Sequence, residues 1–258
     1  MERRSFTKLI MASGATAFAG VGISQPAHAR SGALRNVVLV HGAYADGSSW
    51  ADVIPRLHDC GLTVTSVQNP LTSLADDVAA VRRILDLQDG PTLLVAHSWG
   101  GTVISEAGLH PNVAALAYVS ARGPDAGEDY GALAAQFPTP PASAGVVHQG
   151  GFAWLGEEAF LRDFANGVEP RRARTLFAVQ GRISDSLFAS RTTVAAWRSR
   201  PASYLVTTQD RTTAPELQRF VAGRMTARTT EISSGHLSMI SHPAEVAEFL
   251  LGAARRGV

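Results

Sequence analysis

Only one cysteine, Cys60, occurs in 258 residues. A disulfide framework and a cysteine-rich zinc site are both excluded by that count. Lysine is nearly absent: Lys+Arg totals 23, and the only lysine is Lys8. Beyond residue 8 the chain therefore has no amine side chain for a Schiff base, a Ser–Lys dyad or a phosphate-binding loop. Charge of one sign is lacking too. The formal net charge is +1, so no basic field points to nucleic acid. No histidine pair has the H-E-x-x-H spacing of a metal site, and no glycine-rich dinucleotide fingerprint follows the first strand. Neither a metal nor a cofactor is expected. What is present is a hydrophobic fraction of 45% with 17% charged residues, enough for a globular core. A chain of this length buries roughly three quarters of its unfolded surface and folds without metals or cross-links.

Residues 1–29 have the features of an export signal. Arg3-Arg4-Ser5-Phe6-Thr7-Lys8 follows the twin-arginine pattern. The apolar stretch Leu9–Ile23, broken by Ser13, Gly14, Gly20 and Gly22, is too short for a permanent anchor. Ala27-His28-Ala29 fits a small-x-small cleavage site. The expectation is a precursor handled by the twin-arginine machinery, with a mature chain Arg30–Val258 in the periplasm or outside the cell and no stable membrane anchor. In that oxidising setting Cys60 is expected to be an unpaired, buried thiol.

The mature chain alternates apolar, β-branched runs with helical patterns. Strands are expected at 36–40, 62–67, 91–96, 113–119, 204–207 and 229–232. Helices are expected at 50–60, 74–87, 100–109, 215–225 and 244–254. Such alternation means an α/β fold: a mostly parallel central sheet with helices on both faces. The rhythm breaks over about 123–200, where prolines and glycines cluster and nine of the 18 aromatics fall. This segment is expected to form a helical cap over the carboxyl ends of the strands, where ligands bind in open parallel sheets. Trp154 and Phe152, beside Gly150-Gly151, and then Phe137 are the candidate substrate-binding aromatics.

Four short segments carry the chemistry. Ala96-His97-Ser98-Trp99-Gly100-Gly101 lies where a strand gives way to a helix, the context of a nucleophile elbow. Its first position is alanine rather than the usual glycine. A serine there projects its hydroxyl at the helix N-terminus, where backbone N–H groups favour negative charge. His41-Gly42-Ala43 follows the first strand, and the Ala43 and Trp99 N–H groups are the candidate oxyanion hole. His41 itself is read as structural. Asp210, after Tyr204–Thr207, is the candidate acid, with a turn-starting role or a pairing with Arg211 as its alternatives. His236, after Gly235, is the candidate base, while His242 precedes Pro243 and suits a helix start. The order Ser98, Asp210, His236 is one of the known orders of the serine hydrolase triad.

These motifs resemble the α/β-hydrolases of the esterase and hydroxynitrile-lyase-like branch. The segments carrying the resemblance are V-L-V-H-G-A (38–43), D-G-S-S-W (46–50), Q-N-P-L-T-S-L (68–74), V-A-H-S-W-G-G (95–101), D-R-T-T-A-P-E-L-Q (210–218) and G-H-L-S-M-I-S-H-P (235–243). The resemblance implies a Ser98 nucleophile, a His236 base, an Asp210 orienter and an oxyanion hole from Ala43 and Trp99. Dehalogenases and epoxide hydrolases of this fold carry an aspartate at the elbow, and dienelactone hydrolases a cysteine; this chain has Ser98. The lyases are expected to carry a lysine beside the histidine, where this chain has Leu237. Hydrolysis of a small, largely apolar ester or lactone is the expected activity. A non-catalytic ligand-binding member and a perhydrolase on the same site are the alternatives.

Overall fold

The computed structural model describes residues 34–256; the expected signal segment lies outside them. Nine strands are present among the described residues: β1 (Asn36–Val40), β2 (Thr63–Ser66), β3 (Thr92–His97), β4 (Val113–Val119), β5 (Val146–Gln149), β6 (Phe152–Leu155), β7 (Ile183–Ser184), β8 (Ala202–Thr207) and β9 (Arg228–Ile232). Six of them form one all-parallel sheet in the order β2-β1-β3-β4-β8-β9. All six fall where the sequence predicts strands, the inner four on apolar runs and the two edge strands on β-branched residues.

The centre of the sheet is buried on both faces. Every residue of β1 and β3 is buried, as expected for parallel strands covered by helices. The edges are marked by polarity: β2, T-V-T-S, is mostly half-buried, and β9, R-T-T-E-I, is mostly exposed. Such sequences discourage pairing with another chain. Helices Leu74–Asp86, Gly100–Ala107, Pro215–Arg224 and Pro243–Arg256 follow the expected pattern. The helix expected over 50–60 is divided into a 3-10 turn, Gly47–Trp50, and a helix, Ile54–Asp59, which has Pro55 in its first turn. Cys60 is exposed rather than buried. The chain leaves the helix at this residue and turns at Gly61 with a positive φ of 78°, so the thiol never reaches the core face.

The segment between β4 and β8 is not purely helical. It holds helices Tyr130–Ala134 and Pro170–Ala178 and a short π-helical turn, Phe160–Phe164. It also holds an antiparallel sheet of order β5-β6-β7. β5 and β6 form a hairpin closed by Gly150-Gly151, both at positive φ, 63° and 82°. Two such glycines between short apolar runs are a hairpin signal in their own right.

Strand order determines where a site can form. β1 has β2 on one side and β3 on the other. The direction of winding therefore reverses between β1 and β3, and a crevice opens beyond their carboxyl ends. In register, Val40 pairs with Ala96. The residues that follow, Gly42-Ala43 and Ser98-Trp99, consequently leave the sheet side by side.

Candidate active site

Ser98 follows β3 directly and has φ of 50°. A non-glycine residue in the left-handed region is strained, and such strain gathers at functional turns. The turn closes because its neighbours are small. A Cβ on Gly42 would sit 2.7 Å from the Ser98 Cβ; one on Gly100 would sit 2.8 Å from the Val40 carbonyl oxygen; one on Gly101 would overlap the Arg122 carbonyl oxygen. These glycines let β1, the elbow and the segment after β4 approach within backbone contact. The Ala43 and Trp99 N–H groups, side by side after their strands, make no hydrogen bond among the described residues.

Asp210 and His236 meet beyond the carboxyl ends of β8 and β9. His236 Nδ1 lies 2.8 Å from Asp210 Oδ2, and both side chains are fully buried. The acid is held by four further donors. Oδ1 accepts the Thr212 and Thr213 N–H groups at 2.8 and 2.9 Å. Oδ2 accepts Gln218 Nε2 at 2.8 Å and the Thr207 hydroxyl at 3.0 Å. A carboxylate so held can only accept, so His236 carries its proton on Nδ1 and leaves Nε2 as the basic nitrogen. Nε2 is buried and has no hydrogen-bond partner among the described residues. Ser98 is half-buried and makes no hydrogen bond to it among the described residues.

Two further histidines pack around this pair. The His97 ring lies 4.5 Å from that of His236, and His97 Nε2 donates to the His236 carbonyl at 3.0 Å. Burial holds His97 well below the usual histidine range, helped by neighbouring His236. His41 is structural, as expected: Nδ1 donates to the Gly42 carbonyl at 2.8 Å and Nε2 accepts the Asn69 N–H at 2.9 Å. Burial lowers its pKa as well. His242 contacts its neighbour Ser241 at 2.9 Å and starts the helix Pro243–Arg256.

A cavity of about 470 Å³ opens onto Ser98. Ala43, Trp99, Tyr44, Phe164 and Phe188 are on its wall. None of the three aromatics expected there, Phe137, Phe152 and Trp154, lines it. Phe137 packs on Phe220 with ring centroids 5.4 Å apart, Phe152 is exposed, and Trp154 lies under the Arg182 guanidinium at 4.4 Å. The physical reason is strand alternation in β6. Ala153 and Leu155 face the cavity, so Phe152 and Trp154 point the other way.

Asp77 is a residue the sequence reading passed over. It is buried in the first turn of helix Leu74–Asp86, where it accepts Trp99 Nε1 at 2.8 Å and the Leu71 N–H at 2.8 Å. Burial raises its pKa despite these bonds. Its one sequence signal is an acidic residue four places after Ser73, the helix cap, which alone reads as ordinary helix-start chemistry.

The sequence model of the alpha/beta hydrolase family matches residues 37–249. An alpha/beta hydrolase of Aspergillus novofumigatus is 25% identical over 247 residues, covering 86% of this chain and 97% of its own. Polyneuridine aldehyde esterase superposes with a TM-score of 0.74 at 19% identity, covering 85% of this chain and 98% of that one. A pyrethroid hydrolase from Sphingobium faniae gives 0.70 at 21% identity, covering 86% and 97% respectively. An extracellular alpha/beta-hydrolase from a Paenibacillus species gives 0.70 at 20% identity, with 84% and 98% covered.

Proposed function

The chain belongs to the alpha/beta hydrolase family, and from that membership we propose that it is a serine esterase cleaving a small carboxylic ester or lactone. Ser98 is the nucleophile, His236 the base, and Asp210 the group that fixes the imidazole. The observation that carries this reading is the buried Asp210–His236 pair, whose free Nε2 belongs to the same set of strand ends as the strained Ser98.

In this reading the Ser98 hydroxyl attacks the ester carbonyl and passes its proton to His236 Nε2. The carbonyl oxygen becomes an oxyanion, received by the Ala43 and Trp99 N–H groups, which have no acceptor among the described residues. Collapse of the tetrahedral intermediate breaks the ester bond. His236 returns its proton to the departing alcohol, and an acyl group stays on Ser98. Water, deprotonated by the same nitrogen, then releases the acid. The twin-arginine pattern at Arg3-Arg4 supports an exported enzyme beginning at Arg30.

Hydrolysis of 4-nitrophenyl acetate and butyrate tests the assignment. Ser98→Ala should lose about a million-fold in turnover and keep the wild-type melting temperature. Retention of more than a small fraction of the activity by Ser98→Ala, after the background is subtracted, overturns it.

A further inference from the structure

The cavity beside Ser98 holds a positive charge for which a simple apolar ester has no use. Arg122 lies three residues beyond β4, and its backbone N–H donates to the Ser98 carbonyl at 3.0 Å. The side chain therefore starts from the elbow itself. Its guanidinium lies over three rings, Tyr130 at 4.4 Å, Trp99 at 5.2 Å and Phe188 at 5.3 Å. All four residues are on the cavity wall.

No carboxylate among the described residues forms an ion pair with this guanidinium. The nearby acids are engaged elsewhere: Asp125 with Arg198, Glu128 with Arg224 and Asp129 with Arg191. The wall also carries Asp185, whose carboxylate is hydrogen-bonded to His148 at 2.7 Å. Hydrogen bonding is equally incomplete. Nη2 reaches only the Phe188 carbonyl, at 3.4 Å, and the buried Nε has no partner. Burial pulls the guanidinium down to about 10, still charged at neutral pH. A guanidinium offers five donors in a planar fork, and Arg122, half-buried without an ion-pair partner, keeps most of them open towards the cavity.

We propose that Arg122 is a subsite for a second, ionised acid group on the substrate, so that the enzyme takes carboxylate-bearing esters such as half-esters of dicarboxylic acids. The inference rests on the esterase reading and narrows its substrate class. A carboxylate matches the fork in shape and charge, and the surrounding aromatic wall offers the pair little competition from water. The same residues would also serve as a cation–π clamp between the cap and Trp99. A clamp alone would affect stability and leave substrate choice untouched.

The two roles separate in one experiment on the full chain. kcat/KM is measured for 4-nitrophenyl hemiglutarate and for 4-nitrophenyl pentanoate, which have acyl chains of equal length. The wild type should prefer the hemiglutarate, and added sodium chloride should shrink that preference. Arg122→Met should lower the hemiglutarate-to-pentanoate ratio by about tenfold or more, and Arg122→Lys by less. Equal ratios in wild type and Arg122→Met, or a wild-type preference for pentanoate, overturn the proposal. If Arg122→Met does not fold, the wild-type ratio and its salt response decide.

Titrating monomethyl glutarate and methyl pentanoate into Ser98→Ala distinguishes the two readings. Tighter binding of monomethyl glutarate, without turnover of any ester by the wild type, overturns the esterase reading and upholds the subsite. Turnover with no preference for the acid overturns the subsite alone.

Discussion

Asp210 accepts five hydrogen bonds, which fixes more than its position. With all these donors pointing at it the carboxylate is left with acceptor roles only, and that obliges His236 to present its proton at Nδ1. An asparagine at this position supplies one acceptor oxygen and an N–H₂ that competes with the imidazole. Asp210→Asn should therefore lower kcat by about ten-thousand-fold through the wrong tautomer, the size of effect seen for a triad acid elsewhere. His242→Ala should change it little. Steady-state kinetics on the two variants checks this, and the opposite pattern would transfer the base to His242. Gly42 is constrained by contact rather than by hydrogen bonding. A methyl group 2.7 Å from the Ser98 Cβ must push either β1 or the elbow aside. Gly42→Ala is expected to lower kcat in the same assay and to lower the melting temperature with it. Unchanged values for both would mean that the elbow tolerates the displacement.

The elbow is fastened to the sheet by glycines and to a neighbouring helix by Asp77. The carboxylate is shared between the Trp99 indole and the N–H of Leu71, a residue at φ of 60°. Asp77→Asn removes one acceptor from two buried donors. That should cost about 1–3 kcal/mol, or a fall of roughly 2–12 °C in melting temperature for a domain of this size. Calorimetry measures it, and an unchanged transition would show that one acceptor suffices. This contact was illegible in the sequence because its partners lie 22 residues apart and nothing local distinguishes Asp77 from Asp76. The four inner strands of the parallel sheet are legible because burial on both faces demands continuous apolar runs, whereas the edge strands β2 and β9 are legible only from their β-branched residues. Ser98 and Asp210 are candidates because each follows an apolar run, and His236 because it follows the last strand through Gly235. The cap was harder. In β6 a reading of composition alone chose Phe152 and Trp154, but the pleat sends these outward and turns Ala153 and Leu155 to the cavity. Phe188 was among the nine aromatics and was not singled out, since only the fold brings it to Trp99, 5.7 Å away. Phe188→Ala should accordingly shift the hexanoate-to-acetate preference by about 1–3 kcal/mol of transition-state discrimination, while Phe152→Ala leaves it alone. If Phe152→Ala shifts the ratio as much, the cavity wall has been misplaced.

The sheet as a whole explains why imidazoles collect inside this protein and what that costs. Parallel strands deliver their carboxyl ends to one edge, and β1, β3 and β9 each bring a histidine there: His41, His97 and His236. His41 and His97 are buried as neutral rings, and burial depresses both below their ordinary 6.5. In the unfolded chain they titrate near that value. Between the depressed folded pKa and 6.5 the unfolded state thus binds more protons than the folded one, so stability rises with pH across this window and is lost as pH falls through it. Each such histidine adds up to about 1.4 kcal/mol per pH unit, in a range above the titration of ordinary carboxylates. The expected outcome is a melting temperature clearly lower at pH 5.5 than at pH 7.5. His97→Gln should reduce the slope, because a residue that takes no proton in either state removes one term from the linkage. Its amide N–H₂ is a candidate donor to the His236 carbonyl in place of the lost Nε2–H, so the variant has a route to folding. Denaturant unfolding at several pH values between 5.5 and 7.5, for wild type and His97→Gln, supplies the measurement. Parallel curves for the two proteins would mean that His97 takes up its proton in the folded state as readily as in the unfolded one.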